Sequence, residues 1–215
     1  SKSNASGNAV RRAIDLSERL ESDPLTEVDR RRPLILDPFC GTGTVLQEAL
    51  LAGYDVVGTD LSQKMVDYTT ENLSWLQSTF TAPGNVIDIH QADATTHHWP
   101  NSESLAAVVC ETYLGQPFSA PPAPQKLAEV AGSCNHIITS FLTNIRPQLA
   151  PNTPLCIAVP AWYDASGHAT HLPLIKRLQQ LGYYQLNHTP LIYRRPDQTV
   201  ARELLILRTS RAPDD

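Results

Sequence analysis

Apolar residues along the chain fall into two alternating rhythms, short continuous runs and helically spaced stripes. Val10, Ile14, Leu16 and Leu20 stand near helical spacing, which predicts a helix over 8–20. The polar, charged stretch 21–32 reads as a loop. Residues 33–37 (PLILD) form a short apolar run ending in a carboxylate, the pattern of a buried parallel strand. A helix over 43–52 closed by Gly53, a strand over 54–59 and a helix from Ser62 to about Leu76 follow, with Ser62 as the expected cap. Further strands are predicted at 86–90, 105–110 and 154–160, and a long helix at 125–149. Residues 112–124 hold four prolines and one glycine and exclude regular structure. A helix is expected over 172–181, stopped by Gly182. The stretches 183–193 and 199–207, joined by a turn at 194–198, read as a final strand pair.

Alternating strands and helices predict an α/β fold, a mostly parallel doubly wound sheet of seven strands whose last strand is antiparallel. The length of 215 residues suits one domain over 1–215, with 1–32 as an N-terminal helix and basic loop and 33–215 as the core. Apolar residues make up 41% of the chain, enough to bury that core. No apolar run reaches transmembrane length, and the N-terminus lacks the apolar stretch of a secretory signal. Cys40, Cys110, Cys134 and Cys156 form no CxxC and show no metal spacing with histidine, so free, mostly buried thiols in the cytoplasm are expected.

The net charge of -5 argues against a freestanding nucleic-acid binder. Its distribution qualifies that conclusion. Seven basic residues lie in 1–32 and seven in 176–215, with three between. If the ends meet, they form a basic rim around an acidic body; ordinary solvated charge explains them equally well.

Ligands in doubly wound sheets bind at the carboxyl ends of the strands. Asp37, Asp60, Asp93 and Glu111 each fall at such an end. Asp37 opens the sharpest motif, DPFCGTGT over 37–44, in which Gly41 and Gly43 allow a tight turn and close ligand approach. Leu46 stands where a dinucleotide fingerprint needs its third glycine, and no P-loop exists. A carboxylate before the glycines repels phosphate and suits a cation. S-adenosylmethionine (SAM), with its ammonium and sulfonium, fits that requirement. Asp60, 23 residues after Asp37, stands at the place of a ribose-binding acid. Asp93 can accept from the adenine amino group, or simply form a turn.

Residues 36–73 (LDPFCGTGTVLQEALLAGYDVVGTDLSQKMVDYTTENL) resemble the SAM-binding core of RNA methyltransferases often fused to a THUMP domain, among them the tRNA guanosine-10 N2-methyltransferases. The upstream SGNAVR at 6–11 is similar to a segment that in this family covers the methionine end of SAM, with Gly7 replacing a proline and Asn8 a lysine. The resemblance implies a Rossmann-like class I fold and SAM binding by Ser6, Asp37, Phe39, Gly41, Gly43, Asp60, Leu61 and Asp93. It implies an RNA substrate, tRNA first, and direct in-line transfer to guanine N2 without a metal. An RNA-recognition domain, separate or trimmed from this chain, is expected as a helper.

Enzymes that methylate exocyclic amines carry Asn/Asp-Pro-Pro-Tyr/Phe after the fourth strand. The amine lone pair is delocalised into the ring, so an acceptor must take its protons while an aromatic stacks on the base. Here the aligned residues are Glu111, Thr112, Tyr113 and Leu114. Glu111 keeps an acceptor and Tyr113 the aromatic, one position early, but both prolines are gone. A DNA amino-methyltransferase and a SAM-binding subunit without catalysis remain as alternatives. Phe118 can clamp a base or anchor its loop; Trp162 and Tyr163 can edge the substrate or pack. Arg194, Arg195 and Arg202 flank the last turn, where phosphate contact and plain solvation are both open. The histidines, including His97, His98, His168 and His171, read as solvated loop residues. Cys40 reads as a small residue beside the cofactor rather than a nucleophile.

Overall fold

The computed structural model describes residues 32–116, 118, 122–164, 166–195 and 198–210. The expected helix over 8–20, the basic loop that follows it and Ser6 lie outside the described residues. The apolar run before Asp37 folds as β1 (Leu34–Asp37), paired in parallel with β2 (Asp55–Asp60) and β4 (Leu105–Glu111). Outward from β2 lies β3 (Val86–Gln91); outward from β4 lies β5 (Pro154–Tyr163). The last strand, β9 (Val200–Thr209), runs antiparallel to β5 and to β7 (Tyr183–Gln185). The sheet order is β3-β2-β1-β4-β5-β9-β7, the expected doubly wound arrangement. Among the described residues two short strands raise the count from seven to nine: β6 (Ala169–Thr170) on β5, and β8 (Leu191–Tyr193) on β9.

Helices cover both faces. α1 (Thr44–Leu51) and α2 (Gln63–Thr79) enclose a small core of Cys40, Leu46, Leu50, Val56, Leu73 and Leu76. On the other face lies α3 (Pro124–Ile145), begun by a proline whose missing N–H costs nothing at a first helical turn. Its stripe of Val130, Cys134, Ile138, Phe141, Leu142 and Ile145 packs on Leu36, Val108, Leu155, Ile157 and Leu205. Each such side chain contributes about 1.5–3 kcal/mol on burial, so this layer fixes the strand ends above it. Among the described residues no helix is long and apolar enough to cross a membrane.

Three local expectations are corrected. Residues 172–181 do not form an α-helix; a single 3-10 turn spans Pro173–Arg177. Leu172, Leu174 and Leu178 are all buried, and positions two apart cannot share one α-helical face. The stretch 183–193 is broken between β7 and β8. There the Asn187 side chain accepts from Ile206 N–H at 2.9 Å and donates to Leu204 C=O at 3.1 Å, replacing ladder bonds just before Pro190. Ser62 precedes α2 but makes no side-chain cap; its N–H donates to Asp60 Oδ1 at 2.9 Å.

Candidate functional site

Because β1 to β4 are parallel, their carboxyl ends open on one edge of the sheet. A cleft of about 910 Å³ lies there, lined by Phe39, Asp60, Leu61, Asp93, Glu111 and Tyr113 among others. Asp60 is the knot of its first half. Its Oδ2 accepts from Gly41 N–H at 3.0 Å and its Oδ1 from Ser62 N–H, which ties the glycine turn to the end of β2. Gly41 and Gly43 take φ of +55° and +85°. A Cβ at Gly43 would stand 3.0 Å from Thr69 Cγ2, and Thr69 Oγ1 donates to Gly41 C=O at 2.8 Å. The turn is therefore locked from α2.

Asp37 lies behind this turn, 2% exposed. Its Oδ1 accepts from Phe39 N–H at 3.0 Å. Burial, reinforced by the negative neighbours Asp60 and Glu111, pushes its carboxyl up to about 8. A cation seated nearby would restore the carboxylate. Phe39 packs edge-on to Phe141 at 5.1 Å, so the core of α3 sets its place. Leu61, 69% exposed, offers an apolar surface at the cleft. Asp93 accepts at Oδ1 from Thr95 N–H and Oγ1, which hold its carboxyl below the ordinary value; it forms the turn and remains exposed at the cleft.

These groups fit SAM. A buried carboxylate short of counter-charge suits its cationic end, Asp60 can accept ribose hydroxyls, and Leu61 with Asp93 presents one apolar and one accepting group for adenine. Asp37, Gly41 and Gly43 shape the wall from behind and do not line the cleft. Cys40 is corrected: it is buried in the α1–α2 core, its thiol pushed up to about 12 by burial, and it does not line the cleft.

The second half begins at Glu111, the end of β4. Arg202 of β9 reaches it, with Nε 2.9 Å from Oε2 and Nη2 3.5 Å from Oε1. Arg202 Nη1 also donates to Gln198 Oε1 at 2.7 Å. Thr112 donates through both N–H and Oγ1 to Ala158 C=O of β5, each at 3.0 Å. That double bond to the neighbouring strand holds the segment that the absent prolines would otherwise stiffen. Tyr113, 43% exposed, stands beside it in the cleft.

The structure decides several readings left open near the site. Trp162 is 1% exposed and belongs to the core, so it does not edge the substrate. Tyr163 carries the Arg194 guanidinium over its ring at 4.5 Å. Phe118 packs against the core. His97 is not merely solvated; it packs edge-on against His90 and Trp99. His171 Nδ1 lies 2.6 Å from Oε2 of the buried Glu203. Ser133, His136 and Ser140 of α3 also line the cleft, and sequence reasoning missed them. Their spacing of three and four, one turn apart on the helix, was the available signal.

Residues 35–135 match the model of a methyltransferase domain. The chain is 32% identical over 130 residues to a tRNA (guanine(10)-N2)-dimethyltransferase of Methanothermobacter thermautotrophicus, a match over 60% of this chain and 34% of that protein. The chain thus spans about a third of that relative's length. A SAM-dependent methyltransferase of Methanosarcina mazei superposes with a TM-score of 0.57 at 12% identity, over 86% of this chain and 95% of that one. The magnesium protoporphyrin IX methyltransferase of Synechocystis, solved with bound SAH, gives 0.55 at 14% identity, over 93% and 82%. The fold is the Rossmann-like class I methyltransferase fold.

Proposed function

We propose that this chain is a SAM-dependent methyltransferase that acts on RNA and methylates N2 of a guanine in tRNA. The observation that carries the reading is the placement of Glu111 and Tyr113 in one cleft with Asp60, Leu61 and Asp93. A proton acceptor and a stacking aromatic stand beside a cofactor cradle, the combination that methylation of a flipped base needs. The similarity to a tRNA guanine-N2 enzyme supports the choice of base.

SAM, when bound, supplies an electrophilic methyl group. Asp60 would hold ribose hydroxyls, Leu61 would pack on the adenine and Asp93 would accept from its amino group. Asp37 serves the cationic end from behind the glycine turn. Tyr113 stacks on the target base and keeps its plane fixed. Glu111 would take the proton that the amine loses when it accepts the methyl group that SAM supplies. A carboxylate offers about four lone-pair sites, so Arg202 leaves room for that proton. Holding both reactants in place is the main contribution to rate. A recognition module, in a partner or a longer form of the chain, supplies RNA affinity that a net charge of -5 does not.

The test is methyl transfer from labelled SAM to bulk tRNA, ribosomal RNA and DNA, followed by digestion to nucleosides. Label in N2-methylguanosine from tRNA is expected. Label in DNA alone would replace RNA with DNA as substrate, and bound SAM without label on any of them would make the chain a non-catalytic subunit.

A further inference from the structure

The Glu111–Arg202 pair stands where the cleft meets a second hollow of about 330 Å³. Gln116, Phe118, Gln198 and Arg202 line that hollow, and Leu114 lines both. A guanidinium carries five N–H donors in one plane. Arg202 spends one on Oε2 of Glu111, a second, longer one on Oε1, and a third on Gln198. One N–H remains on each Nη. The pair therefore presents a carboxylate acceptor and a guanidinium donor side by side, held flat by Gln198.

Each base offers a different edge to such a pair. Guanine places two donors, N2–H and N1–H, next to an acceptor, O6. Adenine places one donor, N6–H, next to the acceptor N1. Cytosine follows its N4–H donor with the acceptors N3 and O2. An acceptor that takes two neighbouring N–H groups, flanked by a donor, complements guanine alone. Phosphate is a poorer ligand here, because the adjacent Glu111 carboxylate neutralises Arg202 and repels an anion.

We infer that Arg202, held by Glu111 and Gln198, is the specificity-determining residue that selects guanine by donating to O6 while Glu111 accepts from N1 and N2. The inference rests on the nucleic-acid reading above and adds a residue to it. Phe118 and Leu114 supply apolar surface for the ring, and Gln198 acts through Arg202 as a positioning residue.

The experiment uses the full chain and a tRNA transcript that takes label in the bulk assay. The target position carries either guanine or 2,6-diaminopurine. The analogue keeps the N2 amine, replaces O6 by an amino donor and turns N1 into an acceptor. Wild type should prefer guanine by about 100-fold in kcat/KM, the scale of one good bidentate base contact. Arg202→Gln should narrow that ratio to below about tenfold, chiefly by losing guanine, while the Kd for SAM stays unchanged. Gln198→Ala should narrow it in the same direction by about threefold, and it carries the test if Arg202→Gln fails to bind SAM. Guanine methylated with the same ratio in wild type and both variants overturns the role of Arg202 and leaves the RNA reading intact. Label in adenine or cytosine overturns guanine selection. Bound SAM with no label on any RNA overturns the nucleic-acid reading, and this inference with it.

Discussion

On the cofactor side of the cleft, carboxylates find their partners close by in sequence. Asp37 accepts from Phe39, Asp60 from Ser62, and Asp93 from Thr95, each two residues on. The longest of these links, Asp60 to Gly41, spans 19 residues and joins neighbouring strand ends. On the acceptor side the order is reversed. Glu111 is held by Arg202 across 91 residues, and Thr112 by Ala158 across 46. In the first half each carboxylate is tied to a neighbour in its own turn; the second half exists only when β4, β5 and β9 come together. Substitutions should respect this division. Changes in the first half should weaken SAM binding, and changes in the second should slow transfer with SAM still bound.

The largest expected effect is Glu111→Ala. Loss of the proton acceptor should lower transfer by at least about a thousandfold, the upper range for general acid–base groups. Calorimetric Kd for SAM should move by less than about threefold. A variant that still turns over at the wild-type rate would remove Glu111 from the chemistry. Next comes Asp60→Ala, which removes the ribose acceptor and unties Gly41 at once. A weakening of SAM binding by about 100-fold or more is expected, since lost hydrogen bonds to a charged group cost about 1.5–3 kcal/mol each. Transfer at saturating SAM should recover much of the wild-type rate, and failure to recover would mean that Asp60 also shapes the acceptor side.

Asp37→Asn tests the buried carboxyl. Its proton is bound more tightly in the folded chain, with a value of about 8 against an ordinary 3.8. The resulting stability is fully present below about pH 4 and is lost as pH rises through 8, by something on the order of 5 kcal/mol. Thermal midpoints of the free protein should therefore fall between pH 5 and pH 9, and Asp37→Asn should flatten that slope. SAM binding should show the opposite trend. A cation needs the carboxylate, so affinity should rise about tenfold per pH unit up to about 8. In Asp37→Asn that rise should vanish, with SAM bound about 10- to 100-fold more weakly at pH 8. A parallel rise in both proteins would place the titrating group elsewhere.

The same division explains what was legible beforehand. The acids at 37, 60, 93 and 111, the glycine turn and the first four strands follow from apolar runs ending in carboxylates, a signal carried by adjacent residues. The Arg202 contact left no such trace, because β9 enters the sheet by antiparallel pairing with β5, and spacing along the chain does not report that register. Ser133 and Ser140 were hidden differently. Polar residues on a long amphipathic helix look like its solvent face until the cleft is seen beside them. The 3-10 turn at 173–177 and the break at Asn187 depend on tertiary burial and on a side chain standing in for backbone. Leucine spacing and β-propensity had suggested a helix and an unbroken strand.

Thr112→Val gives the smallest effect and the finest cut between the halves. Thr112 is 3% exposed, and its hydroxyl donates to Ala158 C=O at 3.0 Å. Valine keeps the shape and the β-branch, and the backbone N–H still donates to the same carbonyl. Only the second donor is lost, a change worth about 0.5–1.5 kcal/mol. If that donor merely stabilises the sheet, the thermal midpoint should drop by a few degrees and transfer should stay as it was. If it also steadies Glu111 and Tyr113 in place of the missing prolines, kcat should fall by about three- to tenfold with the Kd for SAM unchanged. The second outcome is expected, because Thr112 stands between the two residues whose positions matter. Thr112→Pro should then recover little, since its ring removes the N–H that the Ala158 carbonyl accepts.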